Sequence, residues 1–127
     1  MASTASEPQA PPRSEHSLQL ALAAARSAEE NRGQNVVILD LREQTAIFDF
    51  FVLCTGSSNR QLRAMSDAID DILQKEFLQK RLGTEGYQES HWILLDYGSV
   101  VVHLFDENNR DYYRLEDLWA GAPHVAR

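Results

Sequence analysis

The chain has 127 residues, with 12 Lys and Arg against 19 Asp and Glu, a formal charge of −7, 43% apolar residues and one cysteine. This is the make-up of one acidic globular domain, large enough to bury a core without staples and too short for a second independent unit. Cys54 alone excludes an internal disulfide or a Cys-based zinc site, and the longest apolar runs, Val36 to Leu39 and Val100 to Val102, fall far below the roughly 20 residues of a membrane helix.

The charge is uneven. Residues 83–127 hold eight acids against three bases, which puts five of the seven surplus negative charges in the last third. Phosphate backbones are bound by clustered Lys and Arg, so this balance speaks against tight nucleic-acid binding and suits a basic protein partner.

Residues 1–13, MASTASEPQAPPR, are small, polar and proline-rich and read as a disordered leader. They lack the apolar stretch of a secretory signal, and Glu7 with no base before Arg13 argues against a transit peptide, leaving the cytoplasm or an organelle interior as the default compartment. From Ser14 to Arg32, Leu18, Ala21, Leu22, Ala25 and Ala28 recur at helical spacing, and Gly33 supplies a left-handed stop. Val36 to Leu41 and Asp49 to Cys54 are β-rich and apolar on both faces, which predicts two buried strands.

Thr55 to Gln61 is a strand-to-helix turn in which Ser58 and Gln61 have capping-box spacing. The helix that follows is expected to reach about Arg81, with Leu62, Met65, Ile69, Ile72 or Leu73 and Phe77 as its core stripe, and residues 82–90 read as a loop. His91 to Asp96 and Ser99 to Phe105 form a hairpin. A two-residue turn at Tyr97-Gly98 would place Trp92 opposite His103, Leu94 opposite Val101 and Asp96 opposite Ser99 on one face, with Ile93, Leu95, Val100 and Val102 on the other. Asn109 to Trp119 predicts a short helix with Tyr112, Leu115, Leu118 and Trp119 facing inward. The domain is then 14–119, with 120–127 as a tail.

Gly56-Ser57-Ser58 after a buried strand invites comparison with a phosphate-binding turn at a helix N-terminus. It matches neither common nucleotide-binding glycine pattern, and the acid-hydrophobic-acid triplet that two-metal nucleotidyl transfer needs occurs nowhere in the chain. A nucleotide-binding or nucleotidyl-transferring enzyme is therefore the alternative reading, and helix capping the simpler one. Arg60 and Arg63 oppose the helix dipole in its first turn, which points to another use for them, a local acid or a partner. Cys54 reads as a packing residue with no orienting third group for thiol catalysis, and the histidines show no metal-ligand spacing. Trp92 beside His103, Asp96 and Ser99 has the composition of an interface anchor.

In chain order, Asp40, Asp49-Phe50-Phe51-Val52, Thr55-Gly56-Ser57-Ser58-x-Arg60-Gln61, Glu85-Gly86, Trp92-x-Leu94-Leu95-Asp96-Tyr97-Gly98-x-Val100-Val101-Val102-His103 and Arg110-x-x-Tyr113-x-Leu115-Glu116-x-Leu118-Trp119 closely resemble the ribosomal silencing factor family, also called the Iojap family. The likeness runs from about Leu18 to Trp119. It implies a small α/β domain with a nucleotidyltransferase-like mixed sheet lacking the catalytic acids, and no enzyme activity, cofactor or metal. It also implies binding to the fourteenth protein of the large ribosomal subunit, a steric block of small-subunit joining, repression of translation, a part in subunit maturation, and a homodimer when free. Carried onto this chain, the partner contacts would be Trp92, Leu94, Asp96, Tyr97 and His103, with Ser57 and Arg60 beside them and little direct RNA contact.

Overall fold

A computed structural model describes residues 13–127, so all but the last residue of the expected leader lies outside the described residues, and Arg13 already begins a helix. In chain order the elements are α1 (Arg13–Glu30), β1 (Gln34–Asp40), β2 (Phe50–Gly56), α2 (Asn59–Phe77), β3 (Gly83–Glu85), β4 (Trp92–Asp96), β5 (Val100–Asp106), α3 (Glu107–Tyr113) and α4 (Leu115–Leu118). The strands form one mixed sheet in the order β1-β2-β5-β4-β3, in which β2 and β5 are parallel and the other neighbours antiparallel. The expected α/β class with a small mixed sheet is the one observed.

The sheet separates two cores because successive side chains on a strand point to opposite faces. On one face lie α1 and α2. The alanines of α1 (Ala21, Ala24, Ala25 and Ala28, each 0% exposed) let that helix approach closely, and Leu62, Met65, Ile69 and Leu73 of α2 meet Phe50, Val52, Val100, Val102 and Leu104. Each fully buried aliphatic side chain of this set stabilises the fold by roughly 1.5–3 kcal/mol. The second face carries Leu39, Phe51, Leu53, Val101 and Phe105, and the short α3 and α4, the segment after them and Phe48 of the β1–β2 connection lie against it.

Several local expectations are corrected. The left-handed residue after α1 is Arg32 (φ 67°), not Gly33. Gly33 is required instead by close approach, since a Cβ there would lie 2.3 Å from Cys54 Sγ. α2 stops at Phe77, where Leu78 turns left-handed (φ 53°) and its amide and that of Gln79 reach back to the carbonyls of Gln74 and Leu73. Part of the expected loop 82–90 is the edge strand β3, whose Gly83, Thr84 and Glu85 pair with Asp96, Leu95 and Leu94.

The hairpin turn also slips by one position. Tyr97 and Val100 form the closing pair (N to O, 2.9 Å), leaving Gly98 and Ser99 as the turn, with Gly98 at φ 88° in the first central position where such hairpins take glycine. Trp92 therefore pairs with Phe105, Leu94 with His103 and Asp96 with Val101. A slip of one in the turn shifts facing pairs by two, so each residue keeps its predicted face while changing its partner.

The C-terminal region departs furthest. The expected helix 109–119 is broken at Arg114 (φ 49°) into α3 and α4. Leu115 and Trp119 face inward as expected, but Tyr112 and Leu118 are 78% and 72% exposed. Residues 120–127, expected as a tail, run beside β1: the Asp40 amide donates to the Pro123 carbonyl, the Val125 amide donates to the Ile38 carbonyl, and Arg127 pairs with Glu29 at 2.6 Å.

Candidate docking face

The turn after β2 is built around helix capping. Ser58 Oγ accepts from the Gln61 amide at 3.1 Å, and the Ser57 amide and hydroxyl both donate to Gln61 Oε1. Gln61 Nε2 then donates to the carbonyls of Asn31 and Arg32 and ties the start of α2 to the end of α1. The Ser57 amide and both serine hydroxyls are thus engaged within the protein. Gly56 is explained by packing, since a Cβ there would meet Leu62 at 2.6 Å. Arg63 donates to Ser90 Oγ at 2.6 Å, whereas Arg60 is exposed and has no ion pair among the described residues.

Three of the expected site residues form a stripe. Trp92, Leu94 and Asp96 lie on one face of β4, all half-buried, with Trp92 and Leu94 packed on the second core. The stripe runs about 13 Å from end to end at the usual strand rise. Thr55, Phe105 and Trp92 are neighbours across β2, β5 and β4, so the parallel pairing brings Ser57 and Arg60 to the Trp92 end of the sheet. Asp96 marks the other end, where its Oδ1 accepts from the Gly98 amide at 2.8 Å.

Two expected contacts are not on that surface. Tyr97 is 2% exposed because it points to the helix-covered core, where its hydroxyl donates to Asp70 Oδ1 at 2.7 Å, and burial pushes its phenol pKa up. His103 has the predicted face but is 4% exposed beneath an aromatic layer, and burial lowers its pKa to about 3. Its Nδ1 accepts from Trp92 Nε1 at 3.1 Å, a diagonal contact between strands that aromatic side chains span.

The aromatic layer draws on β2, β4, β5, α3 and the residue after α4. The Trp92 ring lies 4.9 Å from Phe105 and 4.6 Å from Tyr113, and Phe51 packs 4.6 Å from His103 and 6.0 Å from Trp119. Arg110 holds its cover in place. Its guanidinium, only 10% exposed, donates to Glu116 at 2.7 Å, to the Asn35 carbonyl at 2.6 Å and to Thr55 Oγ1 at 3.0 Å, joining α3 and α4 to the ends of β1 and β2. The sequence signal for this was the paired Arg110 and Glu116, six residues apart across a helix break that spacing alone does not reveal. At the start of α3, burial raises the Asp106 carboxyl, but hydrogen bonds from Asn109 and His91 outweigh it and hold the carboxyl below its usual range.

No arrangement for thiol chemistry is present at Cys54, which is fully buried beside Met65 and whose thiol is pushed up to about 12 by burial. Among the described residues no helix is long and apolar enough to cross a membrane.

The geometry describes a half-covered aromatic face on which Trp92 and Leu94 remain partly exposed. Residues 14–127 match the family model described as ribosomal silencing factor during starvation. The ribosomal silencing factor RsfS of Halalkalibacterium halodurans is 38% identical over 80% of this chain and 86% of its own length, and that of Bacillus subtilis is 36% identical over 79% and 84%. The chloroplastic Iojap protein of Zea mays is 32% identical over 85% of this chain and 46% of its own. A crystal structure of a Chromobacterium violaceum protein superposes with a TM-score of 0.78 at 34% identity, covering 82% of this chain and 86% of that one. The chain belongs to the ribosomal silencing factor family.

Proposed function

We propose that the protein docks through the Trp92 face on the large ribosomal subunit, chiefly on its fourteenth protein, and thereby blocks joining of the small subunit and lowers translation. The observation that carries this reading is the half-exposed Trp92-Leu94-Asp96 stripe on β4, in a chain of this family. Trp92 is the apolar anchor with Leu94 beside it, Asp96 takes a Lys or Arg of the basic partner through its free carboxylate oxygen, and Ser57 and Arg60 form the rim. The protein acts as a steric regulator in the cytoplasm, without catalysis or cofactor, and a second part in subunit maturation fits the same docking. Free in solution it is a homodimer, which light scattering would show.

The acidic balance supports protein over RNA as the surface contacted. Its −7 charge favours a basic ribosomal protein and disfavours phosphate. Binding should weaken with salt, with a shallower slope than an RNA binder shows. Co-sedimentation with isolated large subunits tests the reading. Trp92→Ala should weaken binding by more than ~2 kcal/mol, as for a buried interface anchor. Co-sedimentation of the variant equal to that of the unaltered protein would remove Trp92 from the interface.

A further inference from the structure

The indole N–H of Trp92 is turned inward, onto a buried histidine. His103 is 4% exposed, and its Nδ1 lies 3.1 Å from Trp92 Nε1. Accepting there puts the imidazole proton on Nε2, and Nε2 is buried with no hydrogen-bond partner. An apolar side chain of similar size would fill this place beside Phe51 and Phe105 without burying an unpaired Nε2–H. What histidine supplies and a leucine cannot is an acceptor for the indole.

We infer that His103 is a positioning residue: it holds the Trp92 N–H inside the sheet face, so that Trp92 meets its partner as a carbon surface with no hydrogen bond to give. Interface tryptophans commonly use their N–H as a polar handle. Here the handle is taken up internally. The ring packs 4.9 Å from Phe105 and 4.6 Å from Tyr113, and its N–H edge points to the buried imidazole. The partner site for this anchor is therefore an apolar recess, formed by aliphatic side chains or the methylene stems of Lys and Arg, with no acceptor waiting for an indole. Burial also keeps His103 neutral, so the acceptor is available throughout the physiological pH range.

This rests on the docking reading above, and the experiment separates the two. In free protein, hydrogen exchange of the Trp92 indole proton, assigned by its loss in Trp92→Phe, should be slow. Exchange as fast as that of a free indole would overturn the inference without any variant of His103 having to fold. On isolated large subunits, His103→Leu should weaken binding about tenfold, and His103→Asn, whose Oδ1 can take the place of Nδ1, should bind within about threefold of the unaltered protein. In the Trp92→Phe background, which has no N–H to hold, His103→Leu should change binding less than twofold. An equal tenfold loss in both backgrounds, or His103→Asn as weak as His103→Leu, would show that His103 does not act through Trp92. If the unaltered protein fails to bind large subunits, the docking reading falls, and the exchange measurement decides the His103 contact by itself.

Discussion

The two faces of the sheet are built on different terms. The face under α1 and α2 is aliphatic, closely covered by two long helices, and almost every residue in it is fully buried. The opposite face is aromatic, covered by two short helices that contain no buried residue of their own, and its strand β4 leaves Trp92 and Leu94 partly exposed. Long helices with a continuous apolar stripe are needed for stability. Short, exposed elements over an aromatic layer serve binding better, because they leave large side chains in reach of a partner. On the proposed reading, one side of the sheet serves folding and the other docking.

A cavity on the helix side should have the largest effect on stability. Ile69→Ala, at a position that is 0% exposed between α2 and the sheet, should destabilise the fold by about 2–5 kcal/mol in denaturant unfolding while the folded fraction still binds large subunits. Selective loss of binding by the folded variant would mean that the two faces are not separate.

A smaller effect tests how dry the aromatic face is. His103 stays neutral in the folded protein down to about 3, against 6.5 ordinarily. Below 6.5 the unfolded chain takes up a proton that the folded one refuses, so the stability contributed by this site is complete above 6.5 and is lost as pH falls toward 3. Between pH 8 and 5 the loss should be about 2 kcal/mol, before most carboxylates titrate. Thermal unfolding across that window should show it, and His103→Asn should flatten the profile; an unaltered slope would place the imidazole in contact with water.

The smallest effect concerns the cover itself. Leu118→Ser should change stability by less than about 0.5 kcal/mol, because Leu118 is 72% exposed. A larger loss would restore the inward helix that its spacing suggests.

Where the sequence was legible, a strong period decided the matter. The stripe of α2 and the two faces of the hairpin follow from spacing of three and four or of two, and β2 follows from a continuous apolar run, whereas β1, expected to be buried, is an edge strand with Val36 and Val37 partly exposed. Where it was not, one residue shifted the phase. Arg114 in a left-handed conformation turns Tyr112 and Leu118 outward although Leu115 and Trp119 remain inside. Gly98 at φ 88° moves the hairpin turn by one residue, which keeps the faces and changes every pair. β3 is three residues long, too short to carry a pattern. For the site, residue type found Trp92 and its face, but it could not separate a histidine offered to a partner from one that receives the Trp92 N–H beneath the surface.

The central claim, that docking by the Trp92 face keeps the subunits apart, is tested most directly by adding the protein to isolated subunits and measuring the joined fraction by light scattering. The account predicts that joined particles fall as the protein is added and that Trp92→Ala requires a much higher concentration for the same effect. An unchanged joined fraction at saturating protein would contradict it.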